Sequence, residues 1–167
     1  MLNMHELHTE IEIQATPERI WSVLTDFAAY PQWNPFIRSV EGSPEKGASL
    51  TVRIEPSGAK AMTFRPRVLV ADRPHELRWL GRLLVPGLFD GEHRFVIERL
   101  SGGRVRFEQS ERFSGLLVPL FRSRVDRDTK RGFTEMNAAL KKRAEGKGAK
   151  PLRSTSTARG KSKRRAG

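Results

Sequence analysis

A-T-P-E-R-I-W-S-V-L-T-D-F-A-A-Y-P-Q-W-N-P-F-I, running from Ala15 to Ile37, encodes two short helices placed directly after a strand. Thr16 suits an N-cap, and Pro17 suits the first turn, where its missing N–H would go unpaired in any case. Ile20, Val23, Leu24 and Phe27 recur at i, i+3, i+4 and i+7, an apolar stripe of helical period. The first helix is therefore predicted from Thr16 to about Phe27 and the second from about Tyr30 to Asn34. Pro31 and Pro35 bracket Trp33-Asn34 and stop any long continuation.

On either side of this pair the period changes to two. Leu7, Thr9, Ile11 and Ile13 alternate with His8, Glu10 and Glu12, the pattern of a half-buried strand. Downstream, Phe36 to Glu41 and Ser49 to Glu55 read as strands joined by a Ser43-Pro44, Lys46-Gly47 turn. Met62 to Ala71 reads as one strand in which Pro66 removes a ladder donor, implying an edge or a bulge. Glu76 to Leu83 follows the Asp72-Arg73-Pro74 turn. A further strand sets Phe89, His93, Phe95 and Ile97 on one face. The last sets Val105, Phe107, Gln109, Glu111 and Phe113 on one face, after a tight Ser101-Gly102-Gly103 turn.

From about Leu117 to Arg143 the period becomes 3.6, with Phe121, Val125, Gly132, Met136 and Leu140 along one side. Strand, two short helices, six strands and a long helix make an α+β chain rather than a doubly wound one. With 167 residues it fits one domain, large enough for a core without cross-links, and the absence of cysteine excludes disulfides and thiolate metal sites. No run approaches ~20 consecutive apolar residues, and the N-terminus shows no basic stretch leading into an apolar one, so a cytoplasmic protein is expected.

Charge is unevenly placed. Eleven of the 31 Lys and Arg, and one of the 19 acids, lie in residues 141–167, so that segment holds +10 of the net +12. Residues 1–145 are expected to form the domain. Residues 146–167 have almost no apolar side chains and are expected to be a disordered basic tail. Such a tail can touch nucleic-acid phosphates or an anionic membrane weakly and without sequence preference, or simply be solvated. No aromatics interleave its basic residues, so base stacking is not indicated.

The motifs T-P-E-R-I-W…D-F…Y-P-Q-W-N-P, P-G-L-F-D-G-E-H-R-F and F-E-Q-S-E-R-F-S-G resemble the START-like (SRPBCC) superfamily, in its polyketide cyclase/dehydrase-like branch. The resemblance spans roughly residues 5–143. It implies a helix-grip fold: a curved antiparallel sheet of about seven strands around the long C-terminal helix, with an apolar cavity between them. It also implies a hydrophobic ligand, lipid-like or polyketide-like, and no cofactor is called for.

Signatures of phosphate-binding loops, dinucleotide folds and nucleophile elbows are absent. His5-Glu6-Leu7-His8 lies on a strand pattern, where residues three apart face opposite ways, so no metal site is read there. If Leu100 pairs with Arg104 across the glycine turn, His93 falls opposite Glu111 and Phe95 opposite Gln109; a slip of two would set Gln109 opposite His93. Trp79 is then brought opposite His93 from the preceding strand. Three roles are open to this polar row: a hydrogen-bonded support for the sheet, a device that orients a ligand's polar end, or an acid–base pair.

The candidate cavity residues are Trp33, Asn34, Phe64, Trp79, Phe89, His93, Phe95, Phe107, Gln109, Glu111, Phe113, Val125, Gly132 and Met136. Gly132 either admits a ligand against helix backbone or packs against an aromatic. Two apolar loops, Leu83 to Phe89 and Leu116 to Phe121, are expected to pack on each other, with a gate over the cavity mouth as the next reading. Three functions are carried forward: a non-catalytic binder of a hydrophobic small molecule, a cyclase or dehydratase using His93 and Glu111, and a protein-interaction or accessory module.

Overall fold

The computed structural model describes residues 4–83 and 85–146; the side chains of Leu83, Phe121, Arg122, Arg124 and Val125 fall outside that description. The expected disordered tail therefore lies outside the described residues, apart from Gly146. The strands are β1 (Met4–Ile13), β2 (Ile37–Glu41), β3 (Thr51–Ile54), β4 (Met62–Phe64), β5 (Arg67–Asp72), β6 (Glu76–Leu83), β7 (Phe89–Arg99) and β8 (Val105–Ser114). The helices are α1 (Pro17–Thr25), α2 (Tyr30–Trp33) and α3 (Val118–Glu145), with a 3₁₀ turn at Phe27–Ala29.

Thr16 caps α1 by accepting from the Arg19 N–H at 3.1 Å. The helix stops two residues before the expected Phe27, because the chain tightens into the 3₁₀ turn that leads to α2. Tyr30 is fully buried at this junction and donates its hydroxyl to the Leu24 carbonyl at 2.6 Å. Burial raises its phenol far above the ordinary value, so it remains a donor.

All pairing is antiparallel. One sheet runs β1-β8-β7-β6-β5 and a smaller one β2-β3-β4. The single strand expected over Met62–Ala71 is two, because Arg65-Pro66 interrupts the ladder and hands the chain from one sheet to the other. This makes eight strands among the described residues, where about seven were expected. The two sheets are stitched where Leu50 donates to the Pro66 carbonyl and Val68 to the Ala48 carbonyl, at 2.8 and 2.9 Å.

The long helix α3 lies across the inner face and packs chiefly on β1, with contacts to α1 and β8. Its Phe133, Met136 and Leu140 are fully buried in the main core with Ile13, Phe36, Leu77, Phe95 and Phe107. A smaller cluster, Leu7, Phe113 and Val118 with Phe89 against it, sits beyond the His93 level. No described helix is long and apolar enough to cross a membrane.

Candidate functional site

The β7–β8 ladder pairs His93 with Glu111 and Phe95 with Gln109, and the β6–β7 ladder pairs Trp79 with His93. Directly paired residues point to the same face, here the inner one. The Glu111 carboxylate oxygen Oε2 stands 3.0 Å from His93 Nδ1. On the other side of the ring, Nε2 lies 3.2 Å from Gln109 Oε1. Gln109 Nε2 donates in turn to Asn137 Oδ1 of α3, and Asn137 Nδ2 donates to Thr9 Oγ1 of β1 at 3.2 Å. A polar chain therefore crosses the interior from β7 through β8 and α3 to β1.

His93, Gln109 and Asn137 are buried, and each is satisfied by another member of the chain, as buried polar groups must be. The imidazole is also walled by rings: Phe95 stacks on it at 4.2 Å, Phe133 lies at 4.8 Å and Trp79 at 5.4 Å between centroids. Glu111 keeps 13% of its side chain exposed, so the carboxylate end of the chain is accessible.

Gly91 explains how that carboxylate fits. It pairs with Phe113 and with Gly81, and a Cβ built on it would stand 2.5 Å from Glu111 Oε1. The side chain of Glu111 thus occupies space that any other residue at position 91 would contest.

Other candidate residues have structural positions of their own. Gly132 is explained by packing: the Phe36 ring lies where its Cβ would be, and Phe36 meets Phe133 edge-on at 5.8 Å. Met136 and Phe107 are fully buried in the core. Phe89 and Phe113 meet at 5.6 Å in the smaller cluster, and Phe64 is half-buried on β4 opposite Val52. Asn34 is fully buried and accepts from the N–H groups of Phe36 and Ile37 through Oδ1, which makes it the pivot of the turn into β2. Trp33 is half-buried against Tyr30, its Nε1 without a hydrogen-bond partner among the described residues. The Val125 side chain lies outside the described residues.

The two apolar loops do meet: Leu116 N–H donates to the Gly87 carbonyl at 3.2 Å and Leu117 N–H to the Leu88 carbonyl at 3.0 Å. Val85, Leu116 and Leu120 remain exposed at this junction. Elsewhere, an open groove of about 410 Å³ runs along Pro35, Arg38 and residues 55–59, away from the polar chain. On the outer face of the sheet His8, Glu10 and Glu108 each bring a potential ligand atom within 4.8 Å of the others, but His8 and Glu10 are exposed to solvent.

Sequence reading missed Thr9, Asn137 and Gly91. Thr9 and Gly91 carry a legible signal, since both have the inward parity of their strands. Asn137 follows Met136 on α3 and lies beside, not on, the stripe read as apolar.

The fold is shared with several solved structures. A START superfamily protein from Mycobacterium smegmatis is 24% identical, with a TM-score of 0.67, covering 84% of this chain and 97% of that one. The Zhui aromatase/cyclase from Streptomyces sp. R1128 is 16% identical, with a TM-score of 0.69 and coverage of 86% and 94%. Norcoclaurine synthase from Thalictrum flavum, in complex with dopamine and hydroxybenzaldehyde, is 13% identical, with a TM-score of 0.69 and coverage of 89% and 91%. At these identities the likeness establishes the fold alone. No curated protein matches the sequence. The family model described as polyketide cyclase/dehydrase and lipid transport matches residues 4–145. With that match over residues 4–145, and a grip of sheet around α3, the chain belongs to the polyketide cyclase/dehydrase and lipid transport family.

Proposed function

We propose that the domain binds a hydrophobic small molecule, lipid-like or aromatic and polyketide-like, between the inner face of the sheet and α3, without converting it. The observation that carries this reading is the complete engagement of His93. Both ring nitrogens face protein acceptors, and the ring packs against those of Phe95 and Phe133. A general acid–base histidine needs a nitrogen within hydrogen-bond reach of its substrate. His93 offers none; it holds Glu111 in place, and Glu111 orients the ligand's polar end. Affinity then comes mainly from apolar burial, at about 25 cal/mol per Å² before the costs of association.

A second reading, a cyclase or dehydratase in which His93 and Glu111 exchange protons, is favoured by their 3.0 Å approach. Native mass spectrometry of the purified full chain, followed by His93→Ala, separates the two. A binder shows a co-purifying apolar molecule and keeps its affinity within several-fold in the variant. Loss of nearly all turnover of a polyketide-type substrate, in a variant that still folds and binds, would overturn the non-catalytic reading.

A further inference from the structure

The charge arrangement at the Glu111 end of the polar chain restricts what the ligand's polar end can be. Glu111 Oε2 faces His93, while Oε1 lies over Gly91, and among the described residues no donor meets it. Gln109 is pinned by its neighbours. Its Nε2 sits beside the Phe133 carbonyl at 3.5 Å as well as Asn137 Oδ1, and the carbonyl can only accept. Its oxygen is thereby turned to His93 Nε2.

Both nitrogens of His93 thus face acceptors. With a proton on each, the ring's positive charge is cancelled by Glu111; with one proton, the pair carries a negative charge. Neither state leaves a positive charge for a ligand. The other inward pair at this level, His5 of β1 with Asp126 of α3, also sets a histidine beside a carboxylate. Trp79 and Gly81 of β6 and Phe113 of β8 bring no charge to the face. Among the described inward side chains, no lysine or arginine meets Glu111.

Building on the binding reading above, we infer that the site takes a neutral hydrophobe carrying a hydroxyl, a phenol or alcohol, and rejects hydrophobes ending in a carboxylate. A hydroxyl donates to Glu111 Oε1 and leaves the charge of the site unchanged, filling an acceptor of this site that no described donor meets. A carboxylate would set a second negative charge beside the largely buried Glu111, with no lysine or arginine among the described inward side chains to compensate it. The Phe89 and Phe113 rings, 5.6 Å apart beside Gly91, suit a flat body behind that hydroxyl.

Three probes of one shape test this on the full chain near neutral pH and constant ionic strength: naphthalene, 2-naphthol and 2-naphthoate, followed by tryptophan quenching. The naphthol is expected to bind roughly tenfold tighter than naphthalene, the worth of a hydrogen bond to a charged group. The naphthoate is expected to bind more weakly than naphthalene. In Glu111→Gln, checked for fold by circular dichroism, the naphthoate should recover towards naphthalene. Naphthoate binding to the natural chain as tightly as the naphthol would overturn the inference on its own, without reference to the variant. Naphthalene binding with no difference among the three would overturn it too, and leave the cavity reading intact. If none of the three binds, the cavity reading fails and this inference fails with it.

Discussion

The ring of Phe36 lies against the bare backbone of Gly132, in the space a Cβ there would fill. Phe36 follows the turn built on Asn34, so this contact clamps the start of β2 to the middle of α3. Gly132→Ala forces either the ring or the helix to move, an overpacking that typically costs about 1–3 kcal/mol, although alanine itself favours helix by roughly 1 kcal/mol. A lowered thermal midpoint is expected, with partial recovery in Gly132→Ala combined with Phe36→Leu. A single variant more stable than the natural chain would show that the ring is not held there.

Gly91 and Glu111 stand in the same relation within the polar chain. In Gly91→Ala the new methyl group contests the place of Oε1, and the flexible carboxylate end can give way by rotating off His93. The expected result is a small stability change together with an altered His93 ring signal in NMR, a response that packing alone would not produce. An unchanged ring signal would separate Gly91 from the positioning of Glu111.

Asn137 carries the chain from α3 to the sheet. Asn137→Ala removes the acceptor for Gln109 Nε2 and leaves that buried group with only the distant Phe133 carbonyl. A loss of about 1–3 kcal/mol in denaturant unfolding is expected, the cost of an orphaned buried donor. A variant within a few tenths of the natural stability would mean that water replaces the lost partner.

On the outer face, Glu76 accepts from Arg94 at 2.9 Å and lies 2.9 Å from Arg78 Nε. The bond from Arg94, joined by the charges of both arginines, holds its carboxyl below the ordinary range against the opposing effect of partial burial. A depressed carboxyl stabilises the fold above its unfolded value, and that stabilisation is lost as pH falls through the folded one. Glu76→Gln should therefore lower the melting temperature near neutral pH, with the gap to the natural chain closing in acid. A gap that stays constant into acid would assign the effect to packing.

The pairing of His93 with Glu111 was legible because a three-residue turn at Ser101–Gly103 fixes the register of the strands beside it, and parity does the rest. The helix pair after β1 was legible from Thr16, Pro17 and the spacing of Ile20 to Phe27. What could not be read were relations between segments distant in sequence. Asn137 meets Gln109 across 28 residues and Thr9 across 128, and no local period reports such contacts. Pro66 was seen to disturb a strand, but its effect, passing the chain between two sheets, depends on what pairs with each half. Gly132 carried two readings in the sequence, and only the position of Phe36 decides for packing.

The central claim, a hydrophobic ligand held between sheet and helix beside Glu111, is tested most directly by backbone amide NMR of the full chain titrated with 2-naphthol. The shifts are expected at Gly91, His93, Glu111 and Phe113, on adjoining strands at the accessible end of the polar chain. Shifts confined to Arg38 and residues 57–59, along the open surface groove, would contradict the claim, as would a spectrum that does not respond.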